Sequence, residues 1–277
     1  MQNLTVNKWH LNISNSKLTV GWFIVFSWFF HSYLAAQSDS IFVKAGVQQV
    51  CIDPFSNAYL LTKNHELKKY NDKGEFELSY SDLQLSELSK IASDHPFKCM
   101  IYYPEYDIIR VLGNKLQVIA ELNLSRFGFG EITAVAPSTG YQSFWIFDAT
   151  DQQLVKINQQ YEVELKSNDL TRFTKSAFFP TLIKEREGWL YAYDPKNGLY
   201  IFDNFGTYST KIDIKGGTNF SVFNGKIFVS TTDGLLEIDP VLKSITPLPL
   251  KIGGTVMELS FRKMIVEQNG YLKLVKF

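Results

Sequence analysis

The chain has 277 residues, enough to bury one sizeable all-β domain, and its aromatic content of 15%, with 22 Phe and 14 Tyr, suits half-buried strands. Lys plus Arg and Asp plus Glu both number 28, so the formal net charge is zero. That balance argues against a nucleic-acid binder, which carries a clear basic excess on one face.

The first element is an export signal. Residues 1–38 hold no Asp or Glu, and Asp39 is the first acid. Lys8 and Lys17 precede an apolar run from Leu18 to Phe30; a short polar tail follows, and Ala35-Ala36 stand just before Gln37. A positive region, then an apolar region, then small residues is the layout of a secretory signal. The expectation is a signal peptide over 1–37, cleaved near Ala36/Gln37. The alternative is an uncleaved anchor, since the run extended to Ala36 approaches the roughly 20 residues of a membrane span. No Cys ends the run, which argues against a lipid anchor. Losing Lys8 and Lys17 leaves about −2 on the remainder. The mature protein is expected in the periplasm, on the outer cell surface or secreted. It touches a membrane only if the anchor is retained.

From residue 40 onward, short strand-like runs alternate with turn residues; helical period is confined to one turn around Leu83–Ile91. Ser40–Lys44 is an isolated strand. The first four-strand unit follows as Val47–Ile52, Ala58–Thr62, Glu66–Tyr70 and Glu75–Tyr80, the second as Leu88–Ala92, Phe97–Tyr102, Asp107–Leu112 and Leu116–Leu122. The third reads Ile132–Ala136, Ser143–Phe147, Gln153–Ile157 and Tyr161–Leu165, and the fourth Thr181–Lys184, Trp189–Tyr193, Gly198–Phe202 and Thr207–Ile214. The fifth reads Asn219–Phe223, Lys226–Ser230, Gly234–Ile238 and Lys243–Leu248. The sixth has three strands, Val256–Ser260, Lys263–Glu267 and Tyr271–Lys276.

The units share pieces: SFWIFDATDQQLVKIN at 143–158 aligns with GWLYAYDPKNGLYIFD at 188–203 and GKIFVSTTDGLLEID at 225–239. Leu124-Ser125-Arg126-Phe127 and Leu170-Thr171-Arg172-Phe173 recur in phase. Four strands per unit at a period of roughly 40 to 50 residues is the signature of propeller blades. The expected fold is all-β, a six-bladed β-propeller over 40–277, in which Ser40–Lys44 completes the last blade as its outer strand. A five-bladed ring with an appended hairpin is the alternative. On these pieces, above all WLYAYDPKNGLYIFD, the chain resembles the broad six-bladed propeller superfamily, with loose similarity to NHL-like and sensor-type propellers. It lacks a WD dipeptide and a strict kelch signature. The resemblance implies a fold and transfers no functional residue.

Catalytic chemistry is not visible in the sequence. His65 and His95 stand apart from any Cys or second His, so no metal site and no cofactor is expected. Asp53, Asp194 and Asp239 precede Pro, and Asp148, Asp203 and Asp233 stand at turns, which favours turn formation over a calcium site or an acid/base pair. No G-x-S-x-G, G-x-G-x-x-G or P-loop pattern occurs. Cys51 and Cys99 fall on strands of neighbouring units and form either a disulfide or two buried thiols.

The loops between units carry the remaining candidates. Arg126 and Phe129 lie on 123–130, and Arg172, Lys175, Phe178 and Phe179 on 166–180; with Tyr103 they combine aromatic area and positive charge, as interface hot spots do. Phe127 and Phe173, which repeat in phase, are expected to fill gaps between blades. The leading function is a non-catalytic binding scaffold of the cell envelope, docking a protein or extended ligand. The alternative is a propeller enzyme acting on a glycan or lactone through channel-lining residues. A third reading is carbohydrate binding through exposed aromatics such as Trp189, against a core role for Trp145 and Trp189.

Overall fold

Residues 40–42, 46–249, 253–261 and 263–276 are described by a computed structural model. β1 (Ser40–Phe42) comes first, and together with the strands that follow it makes up six sheets of four antiparallel strands. Blade 1 is β2 (Val47–Ile52), β3 (Ala58–Thr62), β4 (Leu67–Tyr70) and β5 (Phe76–Tyr80). Blade 2 is β6 (Lys90–His95), β7 (Lys98–Tyr103), β8 (Ile108–Gly113) and β9 (Val118–Asn123). Blade 3 is β10 (Ile132–Pro137), β11 (Ser143–Asp148), β12 (Gln153–Asn158) and β13 (Val163–Lys166). Blade 4 is β14 (Leu182–Arg186), β15 (Trp189–Asp194), β16 (Gly198–Asp203) and β17 (Tyr208–Ile212). Blade 5 is β18 (Gly217–Phe223), β19 (Lys226–Thr231), β20 (Gly234–Asp239) and β21 (Ser244–Pro247). Blade 6 is β22 (Thr255–Ser260), β23 (Lys263–Gln268) and β24 (Tyr271–Lys276), with β1 beside β24.

Burial explains why the strands read differently in sequence. Second strands lie between two neighbouring blades, so β3 and β11 are buried at every residue and read as unbroken apolar runs. Fourth strands lie at the rim: β5 and β13 alternate exposed and half-buried residues, and β21 is exposed throughout. A four-stranded blade has two apolar faces and cannot bury both alone. Six core clusters solve this, one at each seam. Leu61, Cys51 and Ile101 join blades 1 and 2, Ile109, Leu122 and Phe144 join 2 and 3, and Trp145, Phe147 and Phe202 join 3 and 4. Tyr191, Ile201 and Phe220 join 4 and 5, Phe228 and Met264 join 5 and 6, and Val50, Leu60, Ile265 and Leu272 join 6 back to 1. The seams close a circle. Full burial of a Leu- or Phe-sized side chain stabilises by about 1.5–3 kcal/mol, so each seam contributes substantially to holding its blades.

First strands neighbour one another around the axis, β2 beside β6 and β22, β10 beside β14, and β18 beside β22. The fold is a six-bladed β-propeller, and the five-bladed alternative falls because blade 6 has its own sheet and seams. In blade 6, Ser40 stands opposite Lys273, Ile41 opposite Leu272 and Phe42 opposite Tyr271; residues 43 and 44 lie outside the described residues, as does the whole segment 1–37 expected to be a signal. Residues 83–89 are bends and coil leading into β6, so no helical turn forms there. Strands alternate in direction, so the first and third turns of a blade share one end. The second turn and the crossover to the next blade share the other.

Candidate functional site

Two crossover loops build the same device. Asn123 Oδ1 accepts from Ser125 N–H at 3.0 Å, and Asp169 Oδ1 accepts from Thr171 N–H at 2.9 Å. Such Asx turns satisfy a donor at the start of a helical turn. The following Leu124 and Leu170 are buried, and each donates its N–H to the second turn of the blade just completed, at 2.7 Å to Asp107 O and 3.0 Å to Gln152 O. One helical turn follows, Leu124–Phe127 as a 3₁₀ helix and α1 (Thr171–Thr174), each closed by a left-handed residue, Gly128 or Lys175.

Beyond that shared frame the two loops differ. Phe127 stacks on Tyr161 at 5.9 Å and on Phe129 at 5.4 Å, half-buried at the seam of blades 2 and 3, and the exposed Arg126 lies over Tyr161 at 4.6 Å. Phe173 does not seal its gap: it is 47% exposed, leaning on Tyr208 at 6.4 Å. Arg172 and Lys175 are exposed beside it. Phe178 is 0% exposed, stacked on Tyr200 at 4.4 Å and tilted against Phe147 at 4.7 Å. Its N–H donates to Gln152 Oε1 at 2.9 Å, and its carbonyl accepts from Gln152 Nε2 at 3.2 Å. Phe179, 47% exposed, is held by its N–H on Asp194 Oδ2 at 2.8 Å.

Two of the expected contact residues are therefore core. Phe178 anchors its loop, and Tyr103, 1% exposed, packs at the seam of blades 1 and 2 with Arg110 over its ring at 5.7 Å. Burial pushes the Tyr103 phenol far up, which marks it as a neutral interior group. Arg126, Phe129, Arg172, Lys175 and Phe179 remain at or near the surface, with Phe173 added to them. Cys51 and Cys99 are free, buried thiols in one cluster, the Cys51 thiol donating to Ile91 O at 3.2 Å; no disulfide joins them.

The channel is crossed by side chains, a feature that local patterning does not reveal. Toward the crossover end, Lys90 Nζ reaches from blade 2 to Thr181 O at 3.2 Å, and burial depresses its ammonium pKa. At mid-depth, Lys184 Nζ of blade 4 donates to Phe220 O at 2.8 Å and meets Glu258 Oε1 of blade 6 at 3.3 Å. Asn219 Nδ2 of blade 5 donates to Glu258 Oε2 at 2.8 Å. Burial holds the Glu258 carboxyl above its ordinary value despite Lys184. At the far mouth, Arg186 of blade 4 pairs with Asp94 of blade 2 and lies over Phe261 of blade 6 at 5.8 Å. The cavity beside Lys90, Lys184, Asn219 and Glu258 measures about 50 Å³. That holds a few waters at about 10–15 Å³ each and no sugar ring.

The carboxylates at turns are occupied by backbone. Asp148 Oδ1 accepts from Thr150 N–H at 3.0 Å, and Asp194 Oδ1 from Lys196 N–H at 2.8 Å. Their second oxygens reach the preceding crossover, at Gly130 N–H at 3.2 Å and Phe179 N–H. Asp53, Asp203 and Asp239 set the turns that follow them in the same way. His65 bonds to Leu88 O in the crossover before β6, His95 accepts from Phe97 N–H in its own turn, and among the described residues no His, Cys, Asp and Glu cluster is placed to hold a metal ion.

Comparison with solved structures agrees with this architecture. The WD40 domain of Pan2 from Neurospora crassa superposes with a TM-score of 0.57 at 10% identity, over 80% of this chain and 72% of that one. The extracellular domain of a protein described as a one-component system from B. thetaiotaomicron gives 0.53 at 14% identity, over 83% of this chain and 33% of that one. BamB from Moraxella catarrhalis gives 0.46 at 13% identity, over 82% of both chains. The likeness to the first two is one of fold. No family model matches the chain, and no curated protein matches it.

Proposed function

We propose that the protein is a non-catalytic binding propeller, exported to the cell envelope, that docks a protein partner through its crossover-loop face. The observation that carries this reading is the division of labour between channel and rim. Channel cations and acids are paired across the axis, whereas Arg126, Arg172, Lys175, Phe173 and Phe179 stand in solvent on loops clamped from below. Aromatic and arginine groups on a rigid frame combine contact area with charge-assisted bonding at small entropic cost, which suits an acidic protein surface.

The test is capture from envelope fractions on the immobilised mature protein and on a variant carrying Arg172→Glu, Lys175→Glu and Phe179→Ala. One partner is expected to co-purify with the wild type and to be lost from the variant, and the intact mass of the exported chain is expected to begin at Gln37. Equal capture by both proteins defeats the docking assignment. Turnover in a screen of glycans and lactones would move the assignment to an enzyme.

A further inference from the structure

A cavity of about 250 Å³ opens between blades 4 and 5, five times the space in the channel. One wall is blade 4, with Trp189, Tyr191, Ile201, Ser209 and Thr210; the other is the turn at Pro240 and Val241 of blade 5. Strand pairing fixes the first wall. Tyr191 stands opposite Ile201 and Ile201 opposite Thr210, while Trp189, two residues from Tyr191, projects from the same face of β15. The second wall is fixed by Asp239 Oδ1, which accepts from Val241 N–H at 2.9 Å. Glu187 locks the two walls together. Its oxygens accept from Asn224 N–H at 2.8 Å and Gly225 N–H at 2.7 Å across the seam, and a Cβ built on Gly225 meets nothing within 4 Å.

Trp189 stands apart from its counterparts in the other blades. It is 41% exposed, and the first residues of the other second strands are Ala58, Lys98, Ser143, Lys226 and Lys263. A large ring left half in water at a position where small or charged residues suffice is available for contact. The chemistry around it selects the occupant. Among the described residues no Lys or Arg lines the cavity and Glu187 does, so an anion finds no counter-charge there. A single exposed ring makes no cage for a quaternary amine. What remains is an uncharged molecule with an apolar face for the indole and hydroxyls for Ser209 and Thr210. A cavity of about 150 Å³ accepts benzene, so this one takes a six-membered ring with its substituents.

We infer that the cleft between blades 4 and 5 binds a neutral pyranose ring, one sugar unit of a glycan, stacked on Trp189. The site is separate from the crossover-loop face and does not depend on docking there. Titration calorimetry of the full chain with methyl glycosides of glucose, galactose, mannose and N-acetylglucosamine, and with choline and phenol, tests it. At least one glycoside is expected to bind with Kd of about a millimolar, the scale for a dozen-atom ligand. Trp189→Ala is expected to weaken that binding by about tenfold and Thr210→Val by a few-fold. Arg172→Glu with Phe179→Ala is expected to leave it unchanged. Trp189→Phe keeps an aromatic ring and is expected to retain part of the affinity, so the site can still be read if the alanine variant folds poorly. Absence of glycoside binding at about 50 mM, survival of binding in both Trp189 variants, or saturation by choline or phenol instead overturns the inference.

Discussion

Phe178 and Phe179 are adjacent in sequence and opposite in role. In extended backbone, neighbouring side chains point to opposite sides, so one ring enters the seam of blades 3 and 4 while the next faces water. Phe178→Ala is expected to cost about 3–5 kcal/mol, the range for an aromatic removed from a packed core. Phe179→Ala is expected to stay within about 0.5 kcal/mol. Urea denaturation of the two variants measures both, and equal losses would contradict the assignment. The sequence marks this pair as unusual because it breaks the phase of the repeat. It does not say which ring goes in, because that choice is made by Gln152, 26 residues upstream. The Asx-Leu-Ser/Thr-Arg-Phe repeat was legible as a recurring loop. Its buried member is the Leu, whose N–H and side chain both engage the preceding blade.

At the scale of elements, the first strands carry the least local information and the most long-range bonding. Lys184 on β14 and Glu258 on β22 are 74 residues apart, and no spacing rule links them. Outer strands and turns are readable because period-2 patterning and Asx chemistry are local. Expected and observed strand ends differ by at most three residues. Breaking a buried ion pair leaves one charge without its partner. Glu258→Leu alone is therefore expected to lose about 3–5 kcal/mol, and adding Lys184→Met is expected to recover most of it. A double-mutant cycle by urea denaturation reads the coupling, and additive losses would contradict the pairing. The pH dependence has a definite sign. The folded carboxyl of Glu258 lies above its ordinary value of 4.5, so as pH rises past that value the unfolded chain releases its proton first. Stability from this group falls until the folded carboxyl also ionises, then levels. Glu258→Gln is expected to flatten that decline above about pH 4.5, and an unchanged slope would contradict a raised folded carboxyl.

For the molecule as a whole, closure rests on two separate contributions. The seam of blades 6 and 1 is a side-chain core of Val50, Ile52, Ala58, Leu60, Ile265 and Leu272, drawn among the described residues from the chain after Gly46. β1 adds a short backbone ladder on the outer edge of β24, covering the edge at Tyr271, Leu272 and Lys273. Six-fold repetition was visible in the chain because each blade needs the same pattern of apolar and turn residues. A strand separated by more than 200 residues from its partner could be placed only by counting what the last unit lacked. The two contributions predict different consequences of truncation. A chain beginning at Gly46 keeps all six seams, so it is expected to fold with an unchanged far-ultraviolet spectrum. It loses the ladder, so its urea midpoint is expected to fall. It also presents an unpaired strand edge, so it is expected to self-associate with rising concentration, as uncovered edges do. Light scattering over a concentration series, alongside denaturation of both chains, separates these effects. A monomeric truncated chain with the full-length midpoint would show that β1 contributes nothing to the sixth blade, whereas failure to fold at all would show that the seam cannot hold the ring unaided.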